Sequence, residues 1–241
     1  MNNNEKDIFN HLKRNKKKVI FDVGSFKGKF TEKMIKIDDA RKSSKFYLFD
    51  PNPRGLDYIK KLKKNYKNVS YNCIGLHNTI QEKVFHLNRF FEASGSSFQT
   101  ILKNDKKWND SRRKILELFN IFNKNKLKEF KKIKVKTNTI DNFCKKKKIK
   151  NIDLLKIDAE GHEEFILKGS KNLLKRKKIN VIYLEVLSKK KNFKFKMKKI
   201  INFLEKFGFT FIKEYPIKSV SILSDLKSSD LLFSNKNYKS E

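Results

Sequence analysis

The sequence predicts an α/β fold: a mostly parallel, seven-stranded sheet with helices on both faces. Three observations predict it. Compact apolar runs such as Val19-Ile20-Phe21-Asp22-Val23 and Phe46-Tyr47-Leu48-Phe49 read as strands buried on both faces. Segments with apolar residues at helical spacing, such as Phe30, Met34 and Ile37, follow them. The two patterns alternate through most of the 241 residues, as they do where crossover helices join parallel strands.

Residues 1–17 are polar and rich in lysine, and read as a short helix or a loose arm. The first strand, 19–23, leads through Gly24 into a helix over 27–37. The second strand, 46–49, ends at Asp50-Pro51-Asn52-Pro53, and a helix over 53–64 carries Leu56, Ile59 and Leu62. Val69 to Ile74 is the third strand. The middle is less regular. Residues 83–87 alternate like an added strand, 92–100 form a polar loop, 105–130 have the spacing of an amphipathic helix, and 133–137 alternate like a half-exposed strand. Regularity returns with strand 153–158, helix 161–174, strand 181–186, and a helix over 195–207 stopped by Gly208. Residues 209–212 and 230–233 are the last two strands, with a long loop between them. With no internal repeat and no Pro, Gly or Ser-rich linker, the organisation expected is an arm at 1–18 and one domain over 19–241, with a basic insertion around 103–132.

The formal charge of +33 invites a nucleic-acid partner, an anionic glycan or a membrane surface. However, the 59 basic residues comprise 52 Lys and only 7 Arg, whereas phosphate forks favour Arg. The lysines spread along the whole chain with abundant Asn and Ile, the pattern of an AT-rich coding bias. No run of apolar residues is long enough to span a membrane, and the N-terminus has no apolar signal region, so a cytoplasmic setting is expected. Cys73 and Cys144 lie far apart without metal-ligand spacing and read as free thiols.

Two segments carry chemistry. In an open parallel sheet, ligands sit beyond the carboxyl ends of the strands. The loop Asp22-Val23-Gly24-Ser25-Phe26-Lys27-Gly28 falls there. Gly24 lets the chain turn sharply off the strand, Gly28 keeps the helix start close to a ligand, and helix-start N–H groups suit a carboxylate. The pattern is neither G-x-G-x-x-G nor a P-loop, so a pyrophosphate grip is poorly supported. An adenosine joined to an amino acid fits better, with Asp22 facing its amino-acid end and Asp50 accepting from its ribose hydroxyls. The second segment is Lys156-Ile157-Asp158-Ala159-Glu160-Gly161-His162-Glu163-Glu164, where a strand meets a helix. Asp158 and Glu160 are placed to position an acceptor, to remove a hydroxyl proton or to hold a divalent cation, and His162 to share the proton role. The competing structural reading is a capped helix start, and Glu163 and Glu164 are assigned to it.

These strings resemble the FkbM family of methyltransferases. The resemblance rests on Phe21 to Gly28, on Phe49-Asp50-Pro51-Asn52-Pro53, on Val135 to Phe143, and above all on Ile152 to Glu163 followed by Leu167-Lys168-Gly169-Ser170. It covers roughly 19–187, with Asp230 to Phe233 as the family's closing strand; Glu is commoner than Asp at position 50. It implies a Rossmann-like class I methyltransferase fold, S-adenosyl-L-methionine as donor, and O-methylation of a sugar, glycan or other small molecule. Asp22, Gly24, Ser25, Gly28, Asp50 and Asn52 would bind the donor, with Ser97 on a polar loop bordering it. Asp158, Glu160 and His162 would be catalytic, ahead of Glu185. Residues 86–132 would decide the acceptor. Two rival readings are an RNA or DNA methyltransferase and a non-catalytic basic module on the same fold. Against the first, the Asn/Asp-Pro-Pro-Tyr/Phe string of base methyltransferases is replaced by Ile157-Asp158-Ala159-Glu160. Against the second, Gly24, Asp50 and Asp158 are all present.

Overall fold

A computed structural model describes residues 3–13, 17–38, 44–88, 96–98, 130–217 and 225–238. Helix α1 (Asn3–Asn10) precedes strand β1 (Val19–Val23), helix α2 (Lys29–Ile37), β2 (Lys45–Phe49), a 3-10 turn at Pro53–Gly55, α3 (Leu56–Asn65) and β3 (Val69–Asn72). The short strand β4 (Gly75–Leu76), β5 (Glu82–Asn88) and β6 (Phe130–Asn138) follow. The second half contains α4 (Ile140–Lys147), β7 (Ile152–Ile157), α5 (Glu163–Lys168), α6 (Lys171–Lys175), β8 (Ile179–Lys189), α7 (Lys190–Lys206), β9 (Phe209–Ile217) and β10 (Leu226–Asn235).

Seven strands form one sheet in the order β3-β2-β1-β7-β8-β10-β9. The pairs from β3 to β8 are parallel, and β10 is antiparallel to both its neighbours. Strand order reverses at β1, so the ligand crevice of this topology opens beyond the carboxyl ends of β1 and β7. The segments read as an added strand and a half-exposed strand pair with each other, Lys83 opposite Val135 and Phe85 opposite Ile133. With β4 they form a separate three-stranded sheet.

Alternation along the buried strands feeds a core on each face of the sheet. Phe21, Leu155, Ile157, Ile182 and Leu184 pack with α4 and α5 through Phe143 and Ile166. Ile20, Leu154, Val181 and Leu232 pack on the other face with Met34 and Ile35 of α2. Burying each such side chain contributes roughly 1.5–3 kcal/mol. The expected N-terminal arm joins this second core: Ile8 of α1 and Leu12 just after it are buried there. Asp7 accepts from Lys213 Nζ and the Tyr215 hydroxyl of β9, at 2.8 and 2.7 Å.

Some boundaries differ from the sequence reading. The helix expected over 161–174 is two helices, broken at Gly169, where a Cβ would lie 2.1 Å from the His77 carbonyl oxygen. The last helix begins at Lys190 rather than 195, directly after a β8 that runs to Lys189. Strands β9 and β10 extend well past their apolar centres, because antiparallel pairing tolerates polar residues on the open face. The amphipathic helix expected at 105–130 lies outside the described residues except for Phe130, and so does the basic insertion except for 130–132, which begin β6. Among the described residues no helix is long and apolar enough to cross a membrane.

Candidate active site

The loop after β1 folds back over the end of β2. The N–H groups of Gly24 and Ser25 both donate to the Phe49 carbonyl, at 2.9 and 3.2 Å. Gly24 has φ +73°, and a Cβ there would lie 1.7 Å from the Asp158 carbonyl oxygen. Only glycine allows the β1 loop and the end of β7 to approach this closely. Asp50, at the end of β2, ties the loop down: one carboxylate oxygen accepts from Phe26 N–H and the other from Asn52 N–H, each at 2.8 Å. Each oxygen keeps a lone pair for a further donor. Burial pushes this carboxyl up to about 6, while the bonds from Asn52 and Phe26 and the charge of Lys156 pull it down.

These residues wall a cavity of about 320 Å³ at the carboxyl ends of β1, β2 and β7. Gly24, Ser25, Asp50, Asn52, Asp158, Glu160 and His162 all line it. Ser25 is buried, and its hydroxyl has no hydrogen-bond partner among the described residues. Asn52 turns its side-chain oxygen to Arg54 N–H, capping the 3-10 turn. Gly28, with φ +73°, starts α2 and packs on Leu62 and Ile59 rather than on the cavity.

Two expected contacts lie elsewhere. Asp22 is fully buried below the cavity floor, accepts from the Thr31 hydroxyl at 2.8 Å, and does not line the cavity. Ser97 also stands back from it. Its backbone pairs with His86, and its hydroxyl donates to the Glu160 carbonyl at 3.1 Å, while its neighbours Ser96 and Phe98 line the wall.

Lys156 explains the position of Asp22, and the sequence reading gave it no role. β1 and β7 pair in the register Asp22–Lys156, so the two side chains share a face. Lys156 Nζ lies 3.1 Å from Asp22 and 3.5 Å from Asp158, and donates to the Gly24 carbonyl at 3.2 Å. Burial pulls the ammonium's pKa down, but Asp22, Asp158 and Asp50 outweigh it and hold it above its ordinary value. The sequence signal was a lysine between Leu155 and Ile157, at a position where a doubly buried strand calls for an apolar residue.

The Asp158 side chain is about half exposed (47 %), the most open carboxylate in this network. Glu160 follows in a left-handed turn with φ +51°, a conformation that costs a non-glycine residue roughly 1–2 kcal/mol. Glu163 serves the helix start, as expected: it accepts from Gly161 N–H at 2.8 Å and pairs with Lys196 at 3.1 Å. Glu185, one strand over, accepts from the Ser228 hydroxyl. Burial raises its pKa well above the carboxylate range, and Asp158 and Glu160 add to the effect. Among the described residues no group of three or more His, Cys, Asp and Glu side chains is placed to hold a metal ion.

His162 occupies a different environment from the one a proton acceptor needs. Its ring is 3 % exposed and packed among Phe165, His77 and Phe98, with centroids at 4.7, 4.8 and 5.1 Å. Neither ring nitrogen has a hydrogen-bond partner among the described residues. Burial lowers its pKa to about 3, with His77, Lys83 and Lys196 contributing, so the ring is neutral at pH 7.

The sheet order, with its antiparallel β10 and a ligand crevice at the β1–β7 switch, is that of the Rossmann-like class I S-adenosylmethionine-dependent methyltransferases. Residues 22–211 match the methyltransferase FkbM domain, and the chain belongs to that family. Its fold is similar to the crystal structure of a methyltransferase FkbM from Methylobacillus flagellatus KT. The TM-score is 0.51 at 10 % identity, over 90 % of this chain and 43 % of that one. The chain thus spans less than half the length of that protein. Weaker likenesses include precorrin-6y C5,15-methyltransferase from Geobacter metallireducens GS-15 (TM-score 0.46, 12 % identity, 97 % of this chain and 87 % of that one). Another is the N-methyltransferase NodS from Bradyrhizobium japonicum WM9 in complex with S-adenosyl-l-homocysteine (TM-score 0.45, 10 % identity, 97 % and 86 %). No curated protein matches the sequence.

Proposed function

We propose that the chain transfers a methyl group from S-adenosylmethionine to a hydroxyl oxygen of a sugar, glycan or other small molecule. The reading rests on the half-exposed Asp158 carboxylate, held beside Lys156 on the wall of a cavity that suits this donor. The unpartnered Ser25 hydroxyl, the remaining lone pairs of Asp50 and the close Gly24 turn would hold a ligand bearing hydroxyls, an amine and a carboxylate. Asn52 would add a buried wall beside Asp50. When bound, the donor supplies an electrophilic methyl group on a sulfonium.

The protein's own part is alignment and one proton. Lys156 fixes Asp158, and Ser97 fixes the turn that carries Glu160. Asp158 accepts the acceptor's hydroxyl proton as the oxygen–methyl bond forms, with Glu160 as its alternate. Burial, with Asp158 and Glu160 adding to it, disfavours the charged form of Glu185 beside Asp158. Residues 19–241 would act as one methyltransferase domain, with residues 86–132 deciding the acceptor. The free thiols Cys73 and Cys144 suit a cytoplasmic setting.

Two grooves lined by Lys17, Lys45, Lys145, Lys147, Lys150 and Lys178 lie at the amino-terminal ends of β1, β2, β7 and β8, the end opposite the cavity. The test is labelled-methyl transfer to a panel of sugars and glycans, with structured RNA as a control. Asp158→Ala is expected to abolish transfer while changing donor affinity by less than about threefold. Undiminished transfer by Asp158→Ala would remove it from the mechanism, and transfer to RNA alone would replace the acceptor class.

A further inference from the structure

The cavity wall carries two chemistries. Around Lys27, Lys29, Lys156 and Asp158 it is charged. Around Leu76, Phe85, Phe98, His162 and Ile166 it is apolar and aromatic. The second stretch is a connected block: Phe85 meets Phe98 edge-on at 5.1 Å, Phe98 meets His162, and His162 stacks on Phe165 and lies tilted against His77. A donor made of an amino acid and an adenine must divide itself between these two stretches, with the zwitterion toward the charges and the flat base toward the rings.

The polar atoms of that aromatic block are unsatisfied. Both nitrogens of His162 are buried and unpartnered among the described residues, and so is Nε2 of His77. His77 Nδ1 accepts from Thr79 N–H at 3.2 Å, which puts the His77 proton on Nε2. A buried polar group without a partner costs roughly 1–3 kcal/mol. Native folds keep such groups where a ligand or ordered water completes them. A neutral imidazole has one donor and one acceptor that point to opposite sides of the ring, so one of the two can meet the amino group or a ring nitrogen on the edge of adenine.

We propose that His162 is a specificity-determining contact for the adenine of the donor, hydrogen-bonding the edge of the base from within the aromatic block, and not the proton acceptor of the reaction. The inference rests on the donor assignment above. Phe165 and Phe98 fix the ring plane, and the short turn from Asp158 to His162 links adenine recognition to the catalytic carboxylate.

The experiment is calorimetric titration of the full chain and two variants with S-adenosylhomocysteine and with methylthioadenosine, which has the adenine and ribose but no amino acid. His162→Phe keeps an aromatic ring and removes both nitrogens. It is expected to weaken both ligands by the same factor, about tenfold. His162→Gln, which keeps a donor and an acceptor, is expected to stay within about threefold of the parent. Unchanged affinities in His162→Phe, or loss confined to S-adenosylhomocysteine, would overturn the adenine contact. A parent chain that binds neither ligand would overturn the donor assignment and this inference with it. If His162→Phe does not fold, His162→Gln losing as much affinity as His162→Ala would overturn the inference.

Discussion

Replacing Gly24 with alanine tests the junction on which the site depends. The new Cβ would lie 1.7 Å from the Asp158 carbonyl oxygen and 2.8 Å from its carbon, about half the separation of ordinary contact. Relief requires a backbone shift of β7, because no flexible side chain stands in the way. The φ of +73° adds roughly 1–2 kcal/mol for any L side chain. Overpacking of this kind costs about 1–3 kcal/mol more. Gly28 is the internal control. It has the same φ, but its Cβ would meet Leu62 and Ile59 methyl groups at 2.9 and 3.0 Å, and side chains can yield. Urea denaturation should therefore place Gly24→Ala about 2–5 kcal/mol below the parent and well below Gly28→Ala. Donor affinity should collapse only in Gly24→Ala, because Asp158 and the loop can no longer share their present positions. Equal destabilisation by the two variants, with donor binding intact in both, would refute the argument that close approach to β7 is why position 24 is glycine.

Three further outcomes follow from the buried charges. Lys156→Met leaves Asp22 fully buried without its cation and should cost about 3–5 kcal/mol in denaturation, with part recovered in Asp22→Asn/Lys156→Met; full stability of the single variant would contradict the ion pair. His162 is held below its ordinary value, to about 3, so it contributes stability that is complete above the unfolded pKa near 6.5 and lost as pH falls toward 3. His162→Phe should therefore gain on the parent by about 3 kcal/mol between pH 7 and pH 4, and a pH-independent difference would exclude a buried neutral ring. The Asp50 carboxyl is raised to about 6, so donor affinity should decline as pH drops through 6, by up to about tenfold per unit. That dependence should vanish in Asp50→Asn, and its persistence there would assign the titration to another group.

The sequence made the central strands legible because burial on both faces leaves continuous apolar runs. Val19 to Val23 and Ile152 to Ile157 needed little else. The glycine turn and the carboxylate at the end of β2 were legible for the same reason, since they mark where such runs stop. What sequence could not convey was register. Asp22 looked like a ligand contact because it ends an apolar run, but its pairing opposite Lys156 turns it into a buried counter-ion. Lys156 was hidden by the same fact seen from the other strand. His162 was read by its residue type as a proton carrier. Its environment depends on Phe98 and His77, which approach it from segments 64 and 85 positions away and leave no local trace. The break at Gly169 was equally non-local, set by the His77 carbonyl against it.

The most direct test of the account is titration of the full chain with S-adenosylhomocysteine, followed by calorimetry and by thermal unfolding. The account predicts one site per chain with micromolar affinity and about 2.7 kcal/mol of added stability at a hundredfold excess over Kd, both lost in Gly24→Ala. No heat of binding and no change in unfolding temperature at millimolar ligand would contradict it.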